Sequence, residues 1–227
     1  MSGPSSIIGV NAIRAARLDQ DGTPDFDNPT GGFMLCGGVS TFQHDFEKQD
    51  GADMYVEDAR GEPCVIRKKP DKIKRVSFTL TVCRDDYRFS ELLCNPQIAT
   101  VLDGSNVVGR AYKVAQGCGS AVNYYGVSLE LWSEQWDCDV ELDGAPYMRT
   151  VLPRCYITPS GYTRENGVSL PVYTGFSVPN ANFGDGPFGD LDLLSGVTGW
   201  AMIDIDNDVV PSCPTPVGYI NVPGTAS

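Results

Sequence analysis

The chain has a single histidine, His44, and no two cysteines in a C-x-x-C spacing. A hydrolytic triad or a cysteine–histidine pair needs a base placed beside its nucleophile. His44 sits between Gln43 and Asp45 with no nucleophile-elbow pattern near it. It reads as an exposed or hydrogen-bonded side chain, and no catalytic residue is assigned. A zinc site is equally poorly supplied. No run of about 18 apolar residues occurs, so no membrane-crossing helix is expected. Long helical patterns are missing too. Basic residues almost vanish after position 113, where Arg149, Arg154 and Arg164 face 13 acidic side chains. The whole chain carries a formal −12. Such a surface repels phosphate and anionic headgroups, which argues against ordinary nucleic-acid binding and membrane docking. Acidity also aids solubility.

The opening MSGPSSIIG has no basic n-region and no apolar h-region, so no signal peptide is expected. On that reading the compartment is reducing. The eight cysteines (Cys36, Cys64, Cys83, Cys94, Cys118, Cys138, Cys155 and Cys213) are then expected to stay as buried free thiols.

What is present is strand and turn. A chain of 227 residues with 41% apolar side chains, 25 Gly and 16 Pro suits one mainly β domain with long loops. The clearest segment is 74–95, KRVSFTLTVCRDDYRFSELLCN. Val76, Phe78, Leu80 and Val82 alternate with Arg75, Ser77, Thr79 and Thr81. Successive strand side chains point to opposite faces, so this strand is half buried and half wet. Asp85 or Asp86 caps the short helix that follows, and Phe89, Leu92 and Leu93 give it an apolar face. Asn95-Pro96 ends it.

Before this segment, residues 7–17 read as an opening strand or extended arm and 18–32 as a loop. Residues 33–46 read as a strand bent at Gly37-Gly38. They are expected to frame a hairpin with a short strand at 62–69, its polar tip at 47–61. After it, 98–123 stays unassigned. Residues 124–136, 147–158 and 168–178 read as strands, with Pro153 and Pro171 marking edges or bulges. Residues 180–190 form a turn cluster and 200–206 a last short strand. The domain spans 1–208, with a long loop near 43–62. Residues 209–227 form a C-terminal arm.

Four groups of side chains invite chemistry. Glu130 and Glu134 lie four apart on one strand face; a glycosidase-type pair is the sharp reading and a solvated face the plain one. Asp19, Asp21, Asp25 and Asp27 resemble half a calcium loop, but the twelfth position from Asp19 is Thr30 rather than Glu. Ordinary turn chemistry explains them. No metal site and no cofactor is assigned. Asp204, Asp206 and Asp208 alternate as an acidic surface. The run Arg67, Lys68, Lys69, Lys72, Lys74 and Arg75, broken only by Asp71 among charges, lacks the interleaved aromatics of a single-strand binder. It reads as a contact with an acidic patch on a second copy, or as a solvated hairpin base.

Taken in order, KRVSFTLTVCRDDYRFSELL, GVSLELWSEQWD, YMRTVLPRCYIT and LPVYTGFSVPNANFGDGP resemble the major tail tube proteins of long-tailed bacteriophages. The match spans residues 6–190. The resemblance implies a β-sandwich or open barrel with one short flanking α-helix, a long hairpin loop and extended termini. It implies a non-enzymatic virion protein, assembled in the host bacterial cytoplasm, that forms stacked hexameric rings. The stack is the tail channel for genome ejection. Its partners would be further copies, the tape measure, tail terminator and distal tail proteins, and double-stranded DNA passing without specific binding. No membrane is involved. Ser77, Thr79 and Thr81 would face the lumen. Arg67, Lys68, Lys69, Lys72 and Lys74 would lie between subunits. A capsid decoration protein, a cytosolic β-sandwich binding module and a paired-carboxylate hydrolase are the competing readings.

Overall fold

The computed structural model describes residues 6–25, 31–51, 53–57, 59–61, 63–83, 86–94, 97–113, 125–137, 140–141, 147–165, 168–191, 199–208, 210–213 and 218–220. The strands are β1 (Ser6–Arg17), β2 (Gly32–Cys36), β3 (Val39–Gln49), β4 (Asp53–Glu57), β5 (Pro63–Lys68) and β6 (Lys72–Val82). Helix α1 (Tyr87–Cys94) follows. Then come β7 (Gln97–Asp103), β8 (Asn106–Lys113), β9 (Val127–Asp137), β10 (Val140–Glu141), β11 (Tyr147–Glu165), β12 (Val168–Ser177), β13 (Ile203–Asp208) and β14 (Gly218–Ile220). The chain is mainly β, as the sequence leads one to expect.

Ten strands form one antiparallel sheet in the order β14-β2-β1-β9-β11-β12-β6-β3, with β10 on β9 and β13 on β11 outside that path. The pairs β4–β5 and β7–β8 stand apart as hairpins. The alternation of β6 is realised: Val76, Phe78, Leu80 and Val82 are buried. Asp86 caps α1 by accepting from the Arg88 amide at 3.0 Å. Phe89, Leu92 and Leu93 turn inward as their spacing requires. One cluster joins these residues to Ile13, Phe33, Leu35, Leu129, Leu152 and Ile157. Strands from both ends of the sheet thus bury side chains around the same helix.

The other face of the sheet's centre is covered as well. Ala12, Met34 and Trp132 are buried there, with Val210 and Ile220 of the C-terminal segment packed on them. Phe183 and Leu191 of the turn cluster cover Val151. A strand flanked on both faces reads as continuously buried, and Ala12 to Ala16 of β1 are buried without a break.

Several expectations need correction. Residues 33–46 do not pair with 62–69. The Gly37-Gly38 pair, at φ +68° and +78°, splits that segment into β2 and β3. β3 then pairs with β6, from Val39 opposite Val82 to Gln49 opposite Lys72. The stretch 47–61 is not a loop: it ends β3 and holds β4, which pairs with β5. Residues 97–113, left unassigned above, form the β7–β8 hairpin about Gly104. β13 is not the last strand, because β14 pairs with β2. The thiols are not all free and buried: Cys36 and Cys213 form a disulfide, Cys83 is exposed, and the buried Cys94 thiol donates to the Ile157 carbonyl. Burial pushes the Cys155 thiol well up from its ordinary range. Pro153 lies where the β9–β11 register shifts, as its missing N–H demands.

Candidate functional site

Residues directly opposite in an antiparallel sheet share a face. On the polar face of β6, Thr81 lies between Thr41 and Val172, Thr79 between Gln43 and Thr174, and Ser77 between Asp45 and Phe176. Ser77, Thr79 and Thr81 are half-buried by these neighbours rather than by a second layer. Gln43, Asp45, Ser77, Thr79 and Thr174 line an open depression of about 650 Å³. The three hydroxyl residues singled out from sequence are therefore brought together on one solvent-facing surface.

Arg75 closes the lower end of this face. Its Nε donates to Glu47 Oε2 at 2.6 Å, and its guanidinium lies 4.6 Å from the centre of the Phe176 ring. That hydrogen bond holds the Glu47 carboxyl below its ordinary range and raises Arg75. Tyr156 of β11 stacks on Phe176 at 5.4 Å, and the Arg154 guanidinium lies 5.7 Å from the Tyr156 ring. A row of arginine, two rings and arginine crosses three strands, β6, β12 and β11. The positive charge of Arg75, the misfit on an otherwise uncharged stripe, is thereby locally cancelled.

β3 carries one side of the face. Among the described residues it pairs with β6 alone and ends the sheet's strand order. Its opposite face carries Phe42, His44 and Phe46, whose rings touch in sequence at 5.9 and 5.5 Å. His44 is exposed within that ladder.

The basic run is divided by the fold. Arg67 and Lys68 belong to β5, and their side chains lie outside the described residues. Lys69 precedes β6, and Lys72 and Lys74 lie on it; all three are exposed. Beside them, the Gly51 amide donates to Asp71 Oδ1 at 3.0 Å and ties the end of β3 to the start of β6.

Sequence reasoning missed a buried ion cluster. Glu130 is not on a solvated face: its exposure is 0%. Arg14 Nε donates to its Oε2 at 2.5 Å and Arg149 Nη2 to its Oε1 at 2.9 Å. The same two arginines reach Asp190 of the turn cluster at 2.7 and 2.8 Å. Both guanidiniums lie over Trp132, at 5.2 and 5.0 Å, and Arg14 also lies 3.8 Å from the Phe188 ring centre. Burial pushes Glu130 upward, with the two guanidiniums offsetting it in part. Burial also opposes ionisation of Asp190, but its bonds to Arg149 and Arg14 prevail and hold it low. Two charges of each sign close on one another here, leaving no free acid–base pair. Glu134, on the same strand face, accepts instead from Asn11 Nδ2.

Two of the other aspartates singled out from sequence, Asp19 and Asp204, take structural roles, and Asp27 lies outside the described residues. Asp19 accepts from the Asp21 and Thr23 amides and the Thr23 hydroxyl, which makes it a turn residue. Asp204 accepts from Thr150 at 2.7 Å. The side chains of Asp206 and Asp208 are outside the described residues. No cluster of three or more metal-ligating side chains occurs among the described residues. No protein-family model matches the chain, and no curated protein does.

Proposed function

We propose that this chain is a structural subunit that polymerises into stacked rings. The hydroxyl-rich face of β3, β6 and β12 lines a water-filled channel for DNA, as the resemblance to phage tail tube proteins implies. On this reading the sheet curves around α1 as an open barrel, and neighbouring copies extend it.

One observation carries the proposal. A long polar sheet face, uncharged along Ser77, Thr79 and Thr81, runs to β3, which pairs as a strand with β6 alone among the described residues. Unpaired N–H and C=O groups on a sheet edge recruit other strands. Pairing edges around a closed ring removes them. A hydroxyl wall also suits DNA passage, since each added cation would neutralise phosphates and make DNA adhere. The local pairing of Arg75 with Glu47 keeps that wall free of an unbalanced cation.

Electron microscopy of the purified full chain tests this. Rings or tubes of uniform diameter are expected. A chain that stays monomeric at high concentration would overturn it.

A further inference from the structure

The core-side face of β6 does not end where its cover ends. Beyond Phe78 and Leu80, which pack in the cluster around α1, it continues through Val76 to Ile73. The β3–β6 register shifts between Glu47 and Lys48, so one strand carries an extra residue there. Strict alternation would put Ile73 on the polar face with Arg75. The bulge instead turns it toward Val76 and Phe46. Phe46, Ile73, Val76, Pro179, Trp200 and Met202 line a groove of about 150 Å³.

Three of these side chains face water: Phe46 is 40% exposed, Ile73 57% and Trp200 57%. Single exposed apolar residues are ordinary, but three in one groove beside the end strand of the sheet mark an interaction surface. Its rim is basic. Lys48 lies opposite Ile73 and Lys72 opposite Gln49, and Lys74 occupies the bulge. All three are exposed, and no carboxylate among the described residues pairs with them.

We infer that this groove docks an acidic, apolar-centred face of a second copy of the chain. The inference rests on the self-assembly reading and names the surface that would serve it. Charge complementarity selects the occupant. Beyond residue 113 the chain has 13 acidic side chains and three arginines. Of those arginines, Arg149 is consumed in the ion cluster and Arg154 donates to the Tyr125 carbonyl. That part of the chain therefore carries a formal excess of acid, which the three exposed lysines complement. The apolar centre distinguishes this from a phosphate-binding patch, which needs no exposed tryptophan and isoleucine.

The experiment compares the full-length wild type with Ile73→Glu/Trp200→Glu and with Lys72→Glu/Lys74→Glu by sedimentation over a concentration series. All four positions are exposed, so unchanged circular dichroism and melting are expected. Each pair should raise the concentration needed for assembly at least tenfold, and added salt should weaken wild-type assembly. If the wild type assembles and both variants assemble equally well, the groove is not the contact and this inference fails while the ring reading stands. A wild type that never self-associates overturns both. Loss of binding to duplex DNA by the lysine variant, with assembly unchanged, also overturns it, because the partner is then nucleic acid.

Discussion

Glu130 shows how much one buried carboxylate is made to hold. Both of its oxygens are taken by guanidinium donors, and through Arg14 and Arg149 it fixes Asp190 of a segment 60 residues away in sequence. Removing one partner from a buried ion pair leaves uncompensated charge in a poor solvent. Glu130→Gln keeps the shape but leaves two arginines to share Asp190 alone, and should cost about 3 kcal/mol or more in urea unfolding. Glu134→Gln keeps an acceptor for Asn11 at a half-buried site and should cost less than about 1 kcal/mol. Equal costs would show that the cluster does not clamp the turn segment. Alternation in the sequence does separate Leu129 and Leu131 from Glu130, Trp132 and Glu134. It does not say that both faces are covered, because the cover comes from residues 183–191, outside any local window. A glutamate flanked by large apolar residues on a strand, with spare arginines elsewhere, was the available hint.

Elements were legible where alternation or an apolar run marks them, and least so where a strand is exposed or glycine-rich. β6 and α1 have clean periods of 2 and 3.6, and they form as read. β3 is exposed along most of its length; its first part was read as strand within 33–46, while its polar end at 47–49 and its pairing with β6 were not. The β7–β8 hairpin was hidden by its glycines, although Asp103-Gly104-Ser105 is a tight-turn signal between apolar runs. The C-terminal segment was read as an arm, and the structure binds it by two devices on β2. β14 pairs with Gly32–Met34, and Cys213 bonds Cys36 across a sequence separation of 177. Closing so long a loop restricts the unfolded chain, and losing the bond should cost about 2–4 kcal/mol. Cys36→Ser, Cys213→Ser and the double variant should therefore be destabilised alike, since all three lose the same bond. Additive losses in non-reducing thermal melts would mean that the two sulfurs act independently and are not joined.

For the whole molecule the question is which charges matter. The formal −12 is spread over the surface, and salt screens exposed charges beyond about 8 Å at physiological ionic strength. Passing DNA would respond to the side chains lining its path rather than to the total. On the channel reading that path would be the face centred on Thr79, with Gln43 and Thr174 on either side and Arg75 paired to Glu47. These positions are partly solvated and outside the core, so lysine fits them without burying a charge. Thr79→Lys/Thr174→Lys should leave assembly intact and place two cations per copy around the channel. Each phosphate neutralised releases counterions, so DNA affinity should rise and fall back with salt, at a slope of about −0.9 per phosphate contact on a log–log plot. Filter binding of duplex DNA to assembled particles measures this. Lysines placed instead at Val101, exposed on the β7–β8 hairpin, should change DNA retention far less. If the two sites behave alike, the hydroxyl face does not line the channel, and the outer surface rather than the β6 stripe governs how the assembly meets DNA.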